Sequence, residues 1–384
     1  MLKILYTLLL LSAHCSYVLA VGKAFYPADD NEVLESLPKG EQHLLDPVSR
    51  NSNSVSAVEA ARAIRNYLSL SSETGDERYL GYADVLLNKV EDGNSVELQL
   101  AKAALLQRRH EFDQALIVLN DIIKEQPRHG EAHLMAAYIY LAQGKGKEAA
   151  GHCAGAGAVL GNITGLSCSA SAQSLMGELE RNYSALSTLL SHWRGSNVER
   201  REALLSLAEI ARMRGDYDLA ERHYRDALFI DSGDSFLLMR LADLYLSQQE
   251  YEKCTMLLGE HQGHLSLMLR SAIAGKQAEQ QDDEERRSRL SNYFELQKLR
   301  NPKLATRDYG EYLLQIQEQS EQALVVALQN WQSQREVADA ELLVRAAIRA
   351  QDLDALKPLL AWLRNTGLRD ARIQQQLASV NIEL

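Results

Sequence analysis

Residues Leu204 to Leu228 read LLSLAEIARMRGDYDLAERHYRDAL, and this stretch decides the fold. Leu204, Leu207, Ala208 and Ala211 recur at spacings of three and four, the signature of one helical face. Gly215-Asp216 interrupts the pattern, and Tyr217, Ala220, Tyr224 and Ala227 resume it on a second helix. Outward from here the pattern returns at fixed intervals. Ala220 precedes Cys254 by 34 residues, and Ala115 precedes Ala149 by 34. The interval between Ala149 and Ala220 is 71 residues, two units plus three extra residues. An aromatic stands three positions before most of these sites: Phe112, Tyr217 and Tyr251, with Tyr183 in the same column of the middle unit. A 34-residue period is that of a helix–turn–helix repeat, which predicts an all-α solenoid that works by presenting surface.

Five units are expected at 96–129, 130–166, 167–200, 201–234 and 235–268, with turns at His110–Asp113, Gly144–Lys147, Arg181–Ser184, Gly215–Asp218 and Gln249–Glu252. Small residues recur in the first helix (Ala103, Ala137, Ser174, Ala208, Ala242) and early in the second (Ala115, Ala149, Ala220, Cys254). Two helices approach to about 8 Å only where no long side chain intervenes. Leu186 stands where the third unit should have its small residue. These residues resemble the tetratricopeptide repeat over roughly 96–268. The resemblance implies a right-handed superhelical solenoid and, as a generic scaffold, no particular partner.

The ends depart from this pattern. Met1-Leu2-Lys3, the apolar run Leu5–Ala13 and Val18-Leu19-Ala20 form a signal-peptide pattern over 1–20, with cleavage expected after Ala20. That implies an exported, periplasmic protein with no membrane span after leader removal. Residues 21–55 show no period, and an extended arm and a disordered one are both open. A degenerate helical hairpin is expected at 56–95, carried by Ala60, Ile64 and Leu68 and then by Tyr79, Ala83 and Leu86. A charged helix is expected within 269–300, and two repeat-like hairpins with atypical turns within 301–384.

The chain's net charge is −11 and it has no basic block, which argues against nucleic acid as a partner. No nucleophile elbow, phosphate loop, dinucleotide fingerprint or CxxC occurs, so no cofactor and no catalytic residue are expected. His129 and His133 lie four apart, but with only Glu131 nearby they read as a surface and a packed histidine, not a metal pair. Cys153 and Cys168 flank the expected three-residue insertion, and in an exported protein they are expected to form a disulfide. Cys254 reads as a buried substitute for alanine.

The resemblance places a concave groove on the first helices of the units. The matching residues are Leu100, then Leu134, Tyr138 and Leu141, then Leu205, Glu209 and Arg212, then Phe236, Met239 and Asp243. Such a groove, apolar with a charged middle, suits a partner helix or an extended peptide. Family members that grip a terminal carboxylate use Lys and Asn there, and this chain has neither. The expected function is a protein-binding scaffold in the cell envelope. The alternatives are an accessory or regulatory subunit of an envelope enzyme or transporter, and an enzyme with a site in the C-terminal region, 300–384.

Overall fold

The computed structural model describes residues 55–90, 94–259, 263–278, 284–301 and 306–384, together with residues 261 and 304. The leader, its cleavage site and all but the last residue of the 21–55 arm lie outside the described residues, as do 279–283 of the charged stretch.

Among the described residues there are nineteen α-helices and no strand. They run in hairpins: α1 (Ala57–Thr74) with α2 (Arg78–Lys89), α3 (Val96–Arg108) with α4 (Phe112–Glu125), and α5 (Gly130–Ala142) with α6 (Gly146–Leu160). Then come α7 (Asn162–Ser174) with α8 (Leu179–Ser191), α9 (Asn197–Arg214) with α10 (Tyr217–Ile230), and α11 (Ser235–Ser247) with α12 (Tyr251–Leu258). The last are α13 (Leu265–Gln277) with α14 (Glu284–Arg300), α15 (Arg307–Glu311) with α16 (Ser320–Ser333), and α17 (Val337–Arg349) with α18 (Lys357–Thr366), closed by α19 (Ala371–Ala378). A π-helical stretch, Tyr312–Ile316, continues α15, and a 3-10 turn, Leu353–Leu356, leads into α18. The architecture is an all-α repeat superhelix. The charged α14 buries Leu290 and Phe294, so it packs as the second helix of a hairpin with α13.

One backbone device sets the register. His110, Gly144, Gly177, Gly215, Gln249, Glu318 and Gln351 each adopt positive φ, and each lies two residues before a second helix or its 3-10 lead-in. In six of these seven turns the next residue's N–H bonds back five residues, from Glu111 to the Leu106 carbonyl, Asp216 to Ala211 and Asp352 to Ala347 among them. That is the Schellman closure of a helix end, and it satisfies carbonyls the first helix leaves open. The turns at Glu318 and Gln351 share the positive φ, but the first follows the π-helical stretch and closes six residues back, from Gln319 to the Leu313 carbonyl, and the second leads into the 3-10 turn.

The small-residue columns sit where the steric argument puts them. Ala103, Ala137, Ala208, Ala242, Ala115, Ala149, Ala220 and Cys254 are all fully buried. The third unit is the exception, because its turn is at Gly177 and not at Arg181–Ser184. Ala170 and Asn182, both buried, therefore take the places expected for Ser174 and Leu186. The spacing is then 33 residues from Ala149 to Asn182 and 38 from Asn182 to Ala220. The extra residues are not between Cys153 and Cys168. There a single residue, Gly161, joins α6 to α7, and the surplus lies in the 192–196 loop and the 18-residue α9.

Cys153 and Cys168 form a disulfide with Cα atoms 5.4 Å apart. The same two helices touch at Gly157 and Gly165. A Cβ on Gly165 would come 2.5 Å from the Gly157 Cα, a contact only a bare backbone allows.

The array closes on itself. Ser72, at the end of α1, accepts at its carbonyl from Ser235 Oγ at 2.7 Å and lies 3.1 Å from His264 Nε2, tying the first hairpin to α11 and α13. The C-terminal hairpins lie against the turns of units two to four. Arg335 N–H donates to the Ala142 carbonyl at 2.7 Å, Trp362 Nε1 to the Gly144 carbonyl at 3.4 Å, and Ala371 meets Gly215. The resulting core joins Leu175 and Met213 to Leu342, Leu343, Leu359 and Leu363.

Candidate functional site

The ten groove positions fall into three environments. Leu100 is buried in the core of its own hairpin with Phe112, Ala115 and Leu119. Leu134 packs beside Ala137 and Cys153, Leu205 packs into the α9–α11 core, and Leu141 is also covered by the C-terminal cluster. Tyr138 is 40 % exposed, and Phe236 is 47 % exposed with Met239 half-buried beside it. Desolvation, reinforced by the charge of Glu202, pushes the Tyr138 phenol up to about 12.

Glu209, Arg212 and Asp243 occupy the third environment, an ion-pair network between the central units and the C-terminal hairpins. Glu209 accepts from Tyr224 Oη at 2.5 Å, Arg240 Nε at 2.6 Å and Arg212 Nε at 3.3 Å. Burial alone would raise the Glu209 carboxyl, but Arg240 and Arg212 bring it down to about 2. Arg212 Nη1 donates to Glu341 at 2.8 Å and to Asp370 at 3.3 Å, and Arg372 Nη1 reaches the other Glu341 oxygen at 2.7 Å. The two carboxylates respond differently. Burial outweighs the Arg212 charge at Asp370, and with Glu341 adding to it raises that carboxyl to about 6. Burial would likewise raise Glu341, but Arg372, Arg212, Arg345 and Arg240 together hold it below the ordinary range. Asp243 pairs with Arg270 at 2.8 Å, and Arg270 also holds Asp308 at 2.6 Å. Arg307 binds Asp339 at 2.8 Å and Glu336, and Arg345 grips Glu311 through both terminal nitrogens.

The concave face is therefore not an open channel along its length. Its charged middle is engaged by the chain's own α17 and by Asp370, ahead of α19. Beside this network lies a recess of about 360 Å³ that Phe236 and Met239 share with His264, Tyr293 and Phe294, and with charged groups that include Arg270, Arg307, Asp308 and Glu336. Arg240 lies over the Phe236 ring at 5.9 Å. Tyr293, Phe294, Arg240, Arg270, Arg307, Glu341 and Asp370 were not among the expected site residues. A signal for several was available: charges at core-facing helical positions, such as Asp339 and Glu341 within the apolar stretch Val337–Ala347. Six acidic groups in the C-terminal region, Asp308, Glu311, Glu336, Asp339, Glu341 and Asp370, each lie in an ion pair with an arginine.

The histidine pair separates. His129 caps α5 by accepting from the Ala132 N–H, while the His133 ring lies 3.1 Å from His152 and 3.1 Å from the Pro127 carbonyl. Among the described residues no group of three or more His, Cys, Asp or Glu could hold a metal ion. No helix among them is long and apolar enough to cross a membrane.

No curated protein matches the chain in sequence. Among solved structures, Pseudomonas aeruginosa pilF is 17 % identical, covering 56 % of this chain and 95 % of its own, with a TM-score of 0.36. The Cut9–Hcn1 assembly of the APC/C is 14 % identical over 79 % of this chain and 58 % of the matched one, at 0.41. Yeast Tom70 is 12 % identical over 84 % and 77 %, at 0.39. The tetratricopeptide-repeat family matches residues 100–158 and 184–235. The unmatched stretch between them holds α7 and the Gly177 turn, where the spacing leaves 34. Residues 100–158 and 184–235 are thus similar to the tetratricopeptide repeat, within a longer all-α repeat superhelix.

Proposed function

We propose that this protein is a non-catalytic scaffold, exported to the periplasm, that holds a protein partner through the apolar end of its concave face. The observation that carries this reading is the recess at Phe236 and Met239. It is walled by Tyr293 and Phe294 and remains accessible where the neighbouring concave positions are ion-paired or buried. A half-exposed aromatic ring beside an arginine is the composition of an interface centre. The recess takes one or two apolar side chains of a partner helix or extended segment, not a long peptide laid through the whole superhelix. Export is supported by the N-terminal leader pattern and by the Cys153–Cys168 bond, since disulfides persist in oxidising compartments.

Cross-linking in the native compartment, followed by mass spectrometry, identifies the partner. With that partner, Phe236→Glu is expected to weaken binding at least about tenfold, the loss of a central anchor, while the helical circular dichroism stays unchanged. Unchanged binding by Phe236→Glu, with Tyr138→Glu also without effect, places the interface elsewhere and overturns the proposal.

A further inference from the structure

The ion-pair network encloses a second cavity, separate in character from the aromatic recess. It has a volume of about 310 Å³, at the small end of ligand-pocket sizes. Among the described residues its walls hold seven arginines and only three carboxylates, Asp243, Glu311 and Glu341. The arginines come from α9, α11, α13, α15, α17 and α19, so the cavity exists only because the array closes.

The full set of charges around it is close to balanced, and the arrangement is what matters. Glu209, Asp308, Glu336, Asp339 and Asp370 all pair with cavity arginines, yet none of the five lines the cavity. They hold the guanidinium groups from behind. Arg240 gives its Nε and Nη2 edge to Glu209, and Arg307 gives its edge to Asp339 and Glu336. Cations nearest the space, with anions a layer further out, leave a positive potential inside a low-dielectric wall. Donor capacity is left over as well. Arg212 Nη2 and Arg345 Nε find no acceptor among the described residues, and Arg212 is only 6 % exposed. Arg349, exposed at the cavity's edge, forms no ion pair among the described residues and donates only to the Leu314 carbonyl, at 3.4 Å.

We infer that this cavity is a binding site for a small organic polyanion, one that carries two or more carboxylate or phosphate groups. Guanidinium forks held rigid by carboxylates behind them are pre-organised for planar or tetrahedral oxyanions. A ligand seated there bridges the central units to the C-terminal hairpins. It would therefore stabilise the closed array as well as occupy the site.

Titration calorimetry on the full chain, with citrate and pyrophosphate as probes against sodium chloride of matched ionic strength, tests this. Saturable binding of at least one probe with Kd below about 1 mM is expected. Citrate alone identifies carboxylates, pyrophosphate alone identifies phosphates, and both identify a general polyanion site. Arg349→Gln, which breaks no ion pair, is expected to weaken that binding about tenfold, while the exposed Lys357→Gln leaves it unchanged. No saturable binding of either probe up to about 10 mM, or equal affinity in Arg349→Gln, overturns the inference.

Discussion

Arg212→Ala is expected to destabilise the fold by about 3–5 kcal/mol, the cost of stranding a buried charge by removing its partner. Arg212 is almost fully buried, and it is the common partner of Glu341 and Asp370, whose side chains are 7 % and 0 % exposed. Without it Glu341 keeps Arg372, but Asp370 has no other arginine within ion-pair distance among the described residues. Urea denaturation of the variant checks the magnitude. Lys357→Ala, which removes an exposed pair with Asp354, is the control and leaves the midpoint unchanged. Because Arg212 belongs to a central unit and its partners to the last hairpins, the variant also separates two accounts. If α17 and α19 were not docked on α9, Arg212 would face water and its loss would cost little.

The second large effect is at the disulfide. Cys153→Ala with Cys168→Ala is expected to lower stability by up to about 3 kcal/mol, from the loop-closure entropy of a 15-residue separation. Both sulfurs are buried, so the bond is expected to resist mild reductant until the α6–α7 pair opens. The Gly157–Gly165 contact remains in the variant. The loss is therefore expected in the unfolding free energy and not in the helical content of the native state. Equal midpoints for the variant and the oxidised parent would contradict it.

These two sites show which parts of the molecule a sequence can reveal. The alanine columns were legible because their steric demand is local: Ala208 and Ala220 serve one helix pair twelve residues apart. The bond between Cys153 and Cys168 was legible for the same reason. The third unit was misplaced by four residues because Tyr183 imitates the turn aromatic. In the fold Tyr183 lies inside α8, its hydroxyl 2.8 Å from His223, and Gly177 supplies the turn. The C-terminal turns were obscure because Glu318 and Gln351 take the left-handed conformation usually given to glycine. The engagement of the groove's charged middle was illegible. Arg212 finds two of its three acceptors 129 and 158 residues away, and no period in the chain records that pairing. Glu209, Arg212 and Asp243 were expected on a concave face, but their ion-pair partners Arg240, Glu341, Asp370 and Arg270 were not foreseen.

The array closes, with the C-terminal hairpins seated on the central units. A Cβ built on Gly215 would lie 3.1 Å from the Ala371 Cβ. A disulfide needs about 3.5–4.5 Å between these atoms, a separation that small shifts supply. The Gly215→Cys, Ala371→Cys variant, oxidised at low protein concentration and digested without reduction, provides the direct measurement. The closed array predicts an intramolecular 215–371 cross-linked peptide as the main product by mass spectrometry. Two free thiols at these positions, in a protein whose Cys153–Cys168 bond is intact, would contradict it.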